Sequence, residues 1–175
     1  MAIKKIIFGG GCFWCTEAVF SMIKGVVSVM PGYSGGNEPN PTYEEVCTGY
    51  TNHAEVLQIV YDENKINLDV LLEIFFEMHD PTSLNKQGAD YGTQYRSVVF
   101  YYDDEQKIVI TRAIEKLQKT LDKKIVTQVE MAQEFYPAEE YHKGYYAKNP
   151  KQSYCSVVIT PKVEKIRKRF KKELK

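Results

Sequence analysis

No apolar run in this sequence is long enough to cross a bilayer as a helix. The opening MAIKKIIFGGG carries two lysines, but its apolar run is also too short for a secretory h-region, so a cytoplasmic protein is expected. An excess of one charge is missing too: 23 Lys and Arg balance 23 Asp and Glu, leaving no overall field to draw the chain to nucleic acid or lipid. Repeats, linkers and low-complexity tracts are absent, so residues 1–175 are expected to form one domain, long enough to bury a real core. Tryptophan is limited to Trp14, and cysteine to Cys12, Cys15, Cys47 and Cys155. In a reducing compartment so few thiols argue for catalysis or metal binding rather than a disulfide framework.

Hydrophobic patterning is what the chain has in quantity. IKKIIF reads as a strand, CFWCTEAVFSMI as a helix, and GVVSVMPGY and AEVLQIVYD as strands. NLDVLLEIFFEMHD follows as a helix capped by Asn67, and YRSVVFYY as a strand. This β-α-β-β-α-β order predicts an α+β fold with a ferredoxin-like two-layer sandwich core. A further helix is expected over residues 104–121, with Ile110, Ile114, Leu117 and Leu121 on one stripe, then a strand in KIVTQVEM. The chain closes with TPKVEKIRKRFKKELK, eight cations against two acids, in which Val163, Ile166 and Phe170 keep helical spacing. It reads as a C-terminal helical extension with a solvated basic face. Two long irregular stretches, SGGNEPNPTYEEVCTGYTNH and PTSLNKQGADYGTQ, interrupt the pattern, and loops of that length tend to carry function. Of thirteen tyrosines, all but Tyr61 fall within residues 33–50, 91–102 and 136–154.

GGGCFWCTEAVF concentrates the chemistry. Cys12 follows a strand and a glycine turn and opens a helix, where backbone N–H groups and the dipole favour a thiolate. The glycines let a substrate approach its sulfur closely. Three chemistries remain open on these residues alone. A zinc site needs Cys12 and Cys15 plus a second close pair, whereas Cys47 and Cys155 stand apart. A thioredoxin-like Cys-x-x-Cys usually has small residues or proline between its thiols, not Phe13 and Trp14. A cysteine hydrolase would pair Cys12 with His53 or His142. Aromatics beside the nucleophile point instead to a small apolar substrate group held against rings.

GCFWCTEAVF resembles the signature of peptide methionine sulfoxide reductases of the A type. PGYSGG, NPTYEEVCTGYTNHAEV, HDPTSLNKQGADYGTQYRS, FYPAEEYHKGYYAKNP and the YC at residues 154–155 follow in that family's order, from Ile6 to about Cys155. The resemblance implies that Cys12 is the nucleophile, that Phe13 and Trp14 hold the substrate methyl group, and that Glu55 is the acid. Tyr43 and Tyr95 would hydrogen-bond the sulfoxide oxygen, and Asp90 would support the polar network. Thiolate attack on sulfoxide sulfur places negative charge on oxygen, which needs a proton and fixed donors. Cys12 would end as a sulfenic acid, which condenses with a second thiol. The family places that resolving thiol in a C-terminal YC, here Cys155. Thioredoxin or another dithiol would then be the electron donor, with no bound cofactor and no metal. Oxidised proteins or free methionine sulfoxide would be the substrates of a monomeric enzyme.

The sequence departs from the commoner family pattern in four places. Cys15 stands where many members carry glycine, either as an alternative resolving thiol or as a bystander. No cysteine follows Cys155, and Asn52 and Ser153 stand where glycine is frequent. A general thiol-disulfide oxidoreductase using Cys12 and Cys15 is the alternative function.

Overall fold

The first strand, β1 (Ile3–Gly9), begins partly exposed and ends in four consecutive buried residues, because there it has neighbours on both edges and both faces. The computed structural model describes residues 2–175. After β1 come α1 (Phe13–Phe20), β2 (Val26–Ser34), α2 (Tyr43–Cys47), β3 (Ala54–Asp62) and α3 (Leu68–Met78). The short strands β4 (Lys86–Gln87) and β5 (Asp90–Tyr91) precede β6 (Val98–Tyr101) and α4 (Asp104–Gln118). The chain finishes with β7 (Gln128–Met131), β8 (Phe135–Pro137), α5 (Tyr145–Lys148) and α6 (Thr160–Arg169), the last preceded by a π-helical turn at Cys155–Ile159.

Six strands make one sheet in the order β7-β6-β1-β3-β2-β8, antiparallel throughout except for β6 against β7. The fold is mixed α+β. On one face Phe8 stacks on Phe75 at 4.5 Å and meets Phe20 at 5.4 Å, joining β1 to α3 and α1. On the other, Ile7, Ala54, Val56, Val98 and Phe100 form a smaller buried cluster with Phe135 packed against it. No helix among the described residues is long and apolar enough to cross a membrane.

Local chemistry sets the element ends. Asn67 Oδ1 accepts from the Val70 N–H at 3.0 Å to start α3, and Asp103 Oδ1 accepts from the Gln106 N–H at 2.8 Å to start α4. The helix expected to run to Leu121 stops at Gln118, whose side chain instead ties down the following turn. Its Oε1 accepts from Ile125 N–H at 2.8 Å and its Nε2 donates to the Lys123 carbonyl at 3.0 Å. The strand expected from Tyr95 starts only at Val98, because Thr93–Tyr95 winds into a 3₁₀ turn whose Thr93 carbonyl accepts from the Arg96 guanidinium at 2.9 Å. β8 and the β4–β5 pair have no counterpart in the periodicity.

Candidate active site

Antiparallel pairing gathers the candidate residues at one end of the sheet. The end of β1, which leads to Cys12, lies beside the start of β3, where Glu55 sits. The end of β2, opposite the same part of β3 with Tyr33 paired to Glu55, opens the loop that carries Tyr43. The start of β6, paired to Gly9, is preceded by Tyr95. Alternation along β3 places Ala54 and Val56 in the smaller cluster, so Glu55 projects with Leu57 and Ile59 toward the helices.

Two of the three glycines before Cys12 have specific reasons. A Cβ on Gly10 would meet the His79 ring at 2.9 Å, and Gly11 takes φ +89°, a conformation L side chains rarely adopt. The Gly11 N–H donates to the Tyr95 carbonyl at 3.2 Å, tying the cysteine turn to that tyrosine. Cys12 is then the N-cap of α1, and the Cys15 N–H donates to its carbonyl at 3.1 Å. All four cysteines are free thiols, with Cys12, Cys15 and Cys155 buried and Cys47 exposed. Among the described residues no group of three or more His, Cys, Asp or Glu is placed to hold a metal ion.

The thiolate expected on Cys12 is not its resting form. Burial pushes its pKa well above the usual thiol range, and the hydrogen bond with Cys15 and the nearby Glu55 add to the effect. Desolvation outweighs the helix N-terminus. Cys15 is the more acidic partner, held down to about 7 first by the hydrogen bond from Cys12 and then, against its own burial, by the Lys162 ammonium.

Glu55 is 1% exposed. Its Oε1 accepts from the Phe13 N–H at 3.2 Å, while Oε2 is buried with no hydrogen-bond partner. Burial raises its pKa to about 8, opposed only by the Phe13 hydrogen bond, so at neutral pH it holds a proton. Burial first and Glu55 second push the Tyr43 and Tyr95 hydroxyls well above the usual phenol range, so both remain O–H donors. Asp90 Oδ2 accepts from the Tyr154 hydroxyl at 2.5 Å, and its charge acts on both Glu55 and Tyr95.

The aromatic wall is built around Trp14. Its indole stacks on Tyr145 at 3.7 Å and 6°, its Nε1–H donates to His142 Nδ1 at 3.0 Å, and Tyr154 meets it edge-on at 5.9 Å. Phe13 stacks on Tyr43 at 6.4 Å and lies 5.0 Å from the His142 ring. The structure therefore brings Cys12, Cys15, Phe13, Trp14, Tyr43, Glu55, Asp90 and Tyr95 around one place. Cys155 follows Tyr154 but is buried inside the π-helical turn, its N–H bound to Gln152 Oε1 at 3.1 Å. His53 is spent on its own loop, accepting from the Gly36 N–H at 3.0 Å and meeting the Glu38 carbonyl at 2.6 Å.

The sequence model of the peptide methionine sulfoxide reductase family matches residues 4–174. The chain belongs to that family. A peptide methionine sulfoxide reductase MsrA of Nautilia profundicola is 57% identical over 93% of this chain and 94% of its own. Mxr1 of Saccharomyces cerevisiae in its reduced form matches with a TM-score of 0.81 at 39% identity, over 86% of this chain and 88% of that one. The complex of Mxr1 with Trx2 matches with a TM-score of 0.58 at 28% identity, over 81% and 85% of the two chains.

In this peptide methionine sulfoxide reductase chain, supporting residues lie beyond those legible in the sequence. Glu139 accepts from the Tyr33 hydroxyl at 2.9 Å and from the Tyr43 N–H at 2.8 Å, fixing the start of α2. Buried Glu17 accepts from the Gly144 N–H at 2.9 and 3.0 Å, anchoring the segment that presents Tyr145 to Trp14. His142 is fully buried, and with Nδ1 accepting from Trp14 its proton sits on Nε2, which has no partner. Glu139, His142 and Gly144 lie in the FYPAEEYHKGYYAKNP block and Glu17 in GCFWCTEAVF, but nothing local to either block signals these pairings.

Proposed function

We propose that the chain reduces methionine-S-sulfoxide, peptide-bound or free, to methionine, with Cys12 as nucleophile and Glu55 as the acid. The observation that carries this reading is the Glu55 carboxyl, buried, protonated at neutral pH and unpartnered at Oε2. A buried acid with one oxygen left unpartnered costs stability, and a substrate oxygen that accepts its proton explains why it is kept. Phe13 and Trp14 offer a rigid apolar wall for the methyl group. Tyr43 and Tyr95 supply O–H donors where the sulfoxide oxygen becomes negative.

The Cys12 sulfur attacks the sulfoxide sulfur and an S–S bond forms. The oxygen, protonated by Glu55, then shifts to the Cys12 sulfur as its bond to the substrate sulfur and the S–S bond both break, leaving methionine and a Cys12 sulfenic acid. The thiol loses two electrons and the sulfoxide gains them, while the proton drawn from Glu55 is replaced by the one Cys12 gives up. A second thiol, Cys155 or Cys15, then condenses with the sulfenic acid, and thioredoxin or another dithiol reopens the disulfide. The Mxr1–Trx2 complex supports a thioredoxin as that partner. Disulfide exchange alone leaves Glu55 and the aromatic wall without a use, which weighs against a general thiol-disulfide oxidoreductase.

We read β6-β1-β3-β2 as a ferredoxin-like sandwich, supported by its antiparallel 4-1-3-2 order, and residues 1–175 as one domain, supported by the family match over 4–174. The chain is proposed to act as a monomer. Its chemistry needs free thiols and so a reducing cytoplasm, and its balanced charge favours neither nucleic acid nor membrane. The test is a single turnover without reductant in a chain carrying Cys15→Ser and Cys155→Ser. One methionine per chain and a trappable sulfenic acid on Cys12 support the reading. Methionine formed without oxidation of Cys12 refutes it.

A further inference from the structure

Lys162, in the first turn of α6, places its ammonium 3.8 Å from the Cys15 sulfur. Cys15 is fully buried, so that cation acts at short range with little water between. It also sits one helical turn from Cys12, with its N–H on the Cys12 carbonyl. That spacing lies within the reach of a disulfide without movement of α1. Cys155 lacks this access. It is enclosed by the π-helical turn, where its carbonyl accepts from the Thr160 hydroxyl at 3.2 Å and its N–H is held by Gln152.

We propose that Lys162 is a positioning residue that holds Cys15 as the thiolate which resolves oxidised Cys12, before Cys155 takes part. This rests on the reading of Cys12 as the sulfoxide-reducing nucleophile. In the step, the Cys15 thiolate attacks the Cys12 sulfenic sulfur, an S–S bond forms and the S–O bond breaks. Hydroxide leaves and takes a proton from solvent to become water. Cys15 is oxidised and the sulfenic sulfur reduced, both to the disulfide level. A cleft of about 500 Å³, lined in part by Asp90, Tyr154, Val158 and Lys162, brings solvent to the ammonium.

Several groups face the Cys15 sulfur besides Lys162. Cys12 donates a hydrogen bond from α1, and the Tyr154 hydroxyl approaches from the C-terminal segment. Asp90 on β5, Glu55 on β3 and Cys155 are the other titratable neighbours. Lys162 is the one cation among them. Its removal lowers the thiolate fraction at neutral pH, and each unit of upward pKa shift costs about tenfold in that fraction below the midpoint.

The experiment is a single turnover on the full chain carrying Cys155→Ser, with one equivalent of free methionine-S-sulfoxide and no reductant. Methionine, trapped Cys12 sulfenic acid and the Cys12–Cys15 disulfide are followed by mass spectrometry between pH 5.5 and 9. In Lys162→Met, methionine should form as in the Lys162 chain. Disulfide formation at pH 7 should slow about fivefold, its midpoint should move up by about one pH unit, and Lys162→Arg should restore both. An unchanged midpoint in Lys162→Met overturns the proposal. So does a parallel loss of methionine and disulfide formation, which would mark Lys162 as a structural residue. Absence of methionine even with Lys162 in place overturns the underlying reading of Cys12 instead.

Discussion

Replacing Glu55 with Gln should stabilise the protein while disabling it. In the folded chain Glu55 titrates at about 8, against 4.5 for an ordinary glutamate. That difference corresponds to roughly 5 kcal/mol of resistance to ionisation. The sign follows from proton uptake. Below pH 4.5 both folded and unfolded chains hold the proton and there is no penalty. Between 4.5 and 8 only the folded chain holds it, so the penalty grows with pH, reaching about 3 kcal/mol at pH 7, and it levels off above 8. Gln keeps an oxygen for the Phe13 N–H, and its amide inherits the place of Oε2, which already lacks a partner. Thermal melts of Glu55→Gln should therefore show no gain near pH 4 and a gain of roughly 6–12 °C at pH 7. Loss of the acid should lower methionine formation by about 10²–10⁴-fold. A melting gain that does not rise with pH, or a variant that keeps its turnover, would refute the argument that burial stores a proton for the substrate.

Three further outcomes follow from the same geometry. Tyr43→Phe and Tyr95→Phe should each slow methionine formation about tenfold, taking each hydroxyl as a single neutral donor to the developing oxyanion, and the double variant should lose more than either; steady-state kinetics with dithiothreitol checks this. His142→Phe removes the acceptor of the Trp14 indole N–H at 3.0 Å, so the Michaelis constant for sulfoxide should rise more than the turnover number falls. Gly11→Ala forces a Cβ onto φ +89° and to within 3.1 Å of the Gln87 side chain, and denaturant unfolding should show a loss of about 1–3 kcal/mol.

The periodic segments announce themselves in the sequence because each buries one face. β3 matches the expected AEVLQIVYD residue for residue, and Asn67 caps α3 as its side chain predicts. α2 was legible in principle: Thr42 and Glu45 form a reciprocal capping box, but it lies in a stretch dominated by glycine and proline. Long-range polar pairs leave no local trace. Trp14 finds His142 across 128 residues, Tyr154 finds Asp90 across 64, and Lys162 finds Cys15 across 147. Cys12 shows the limit of a local rule. Its place at a helix N-terminus favours a thiolate, yet burial, which depends on the whole fold, decides its resting protonation.

The central claim is that Cys12 reduces one epimer of methionine sulfoxide in the pocket formed with Glu55 and the aromatic wall. Consumption of the two separated epimers with dithiothreitol, by the unaltered chain and by Cys12→Ser, tests it most directly. Turnover of the S epimer alone, abolished in Cys12→Ser, is the expected result. Turnover of neither epimer by the unaltered chain, or S-epimer turnover that survives Cys12→Ser, would contradict it.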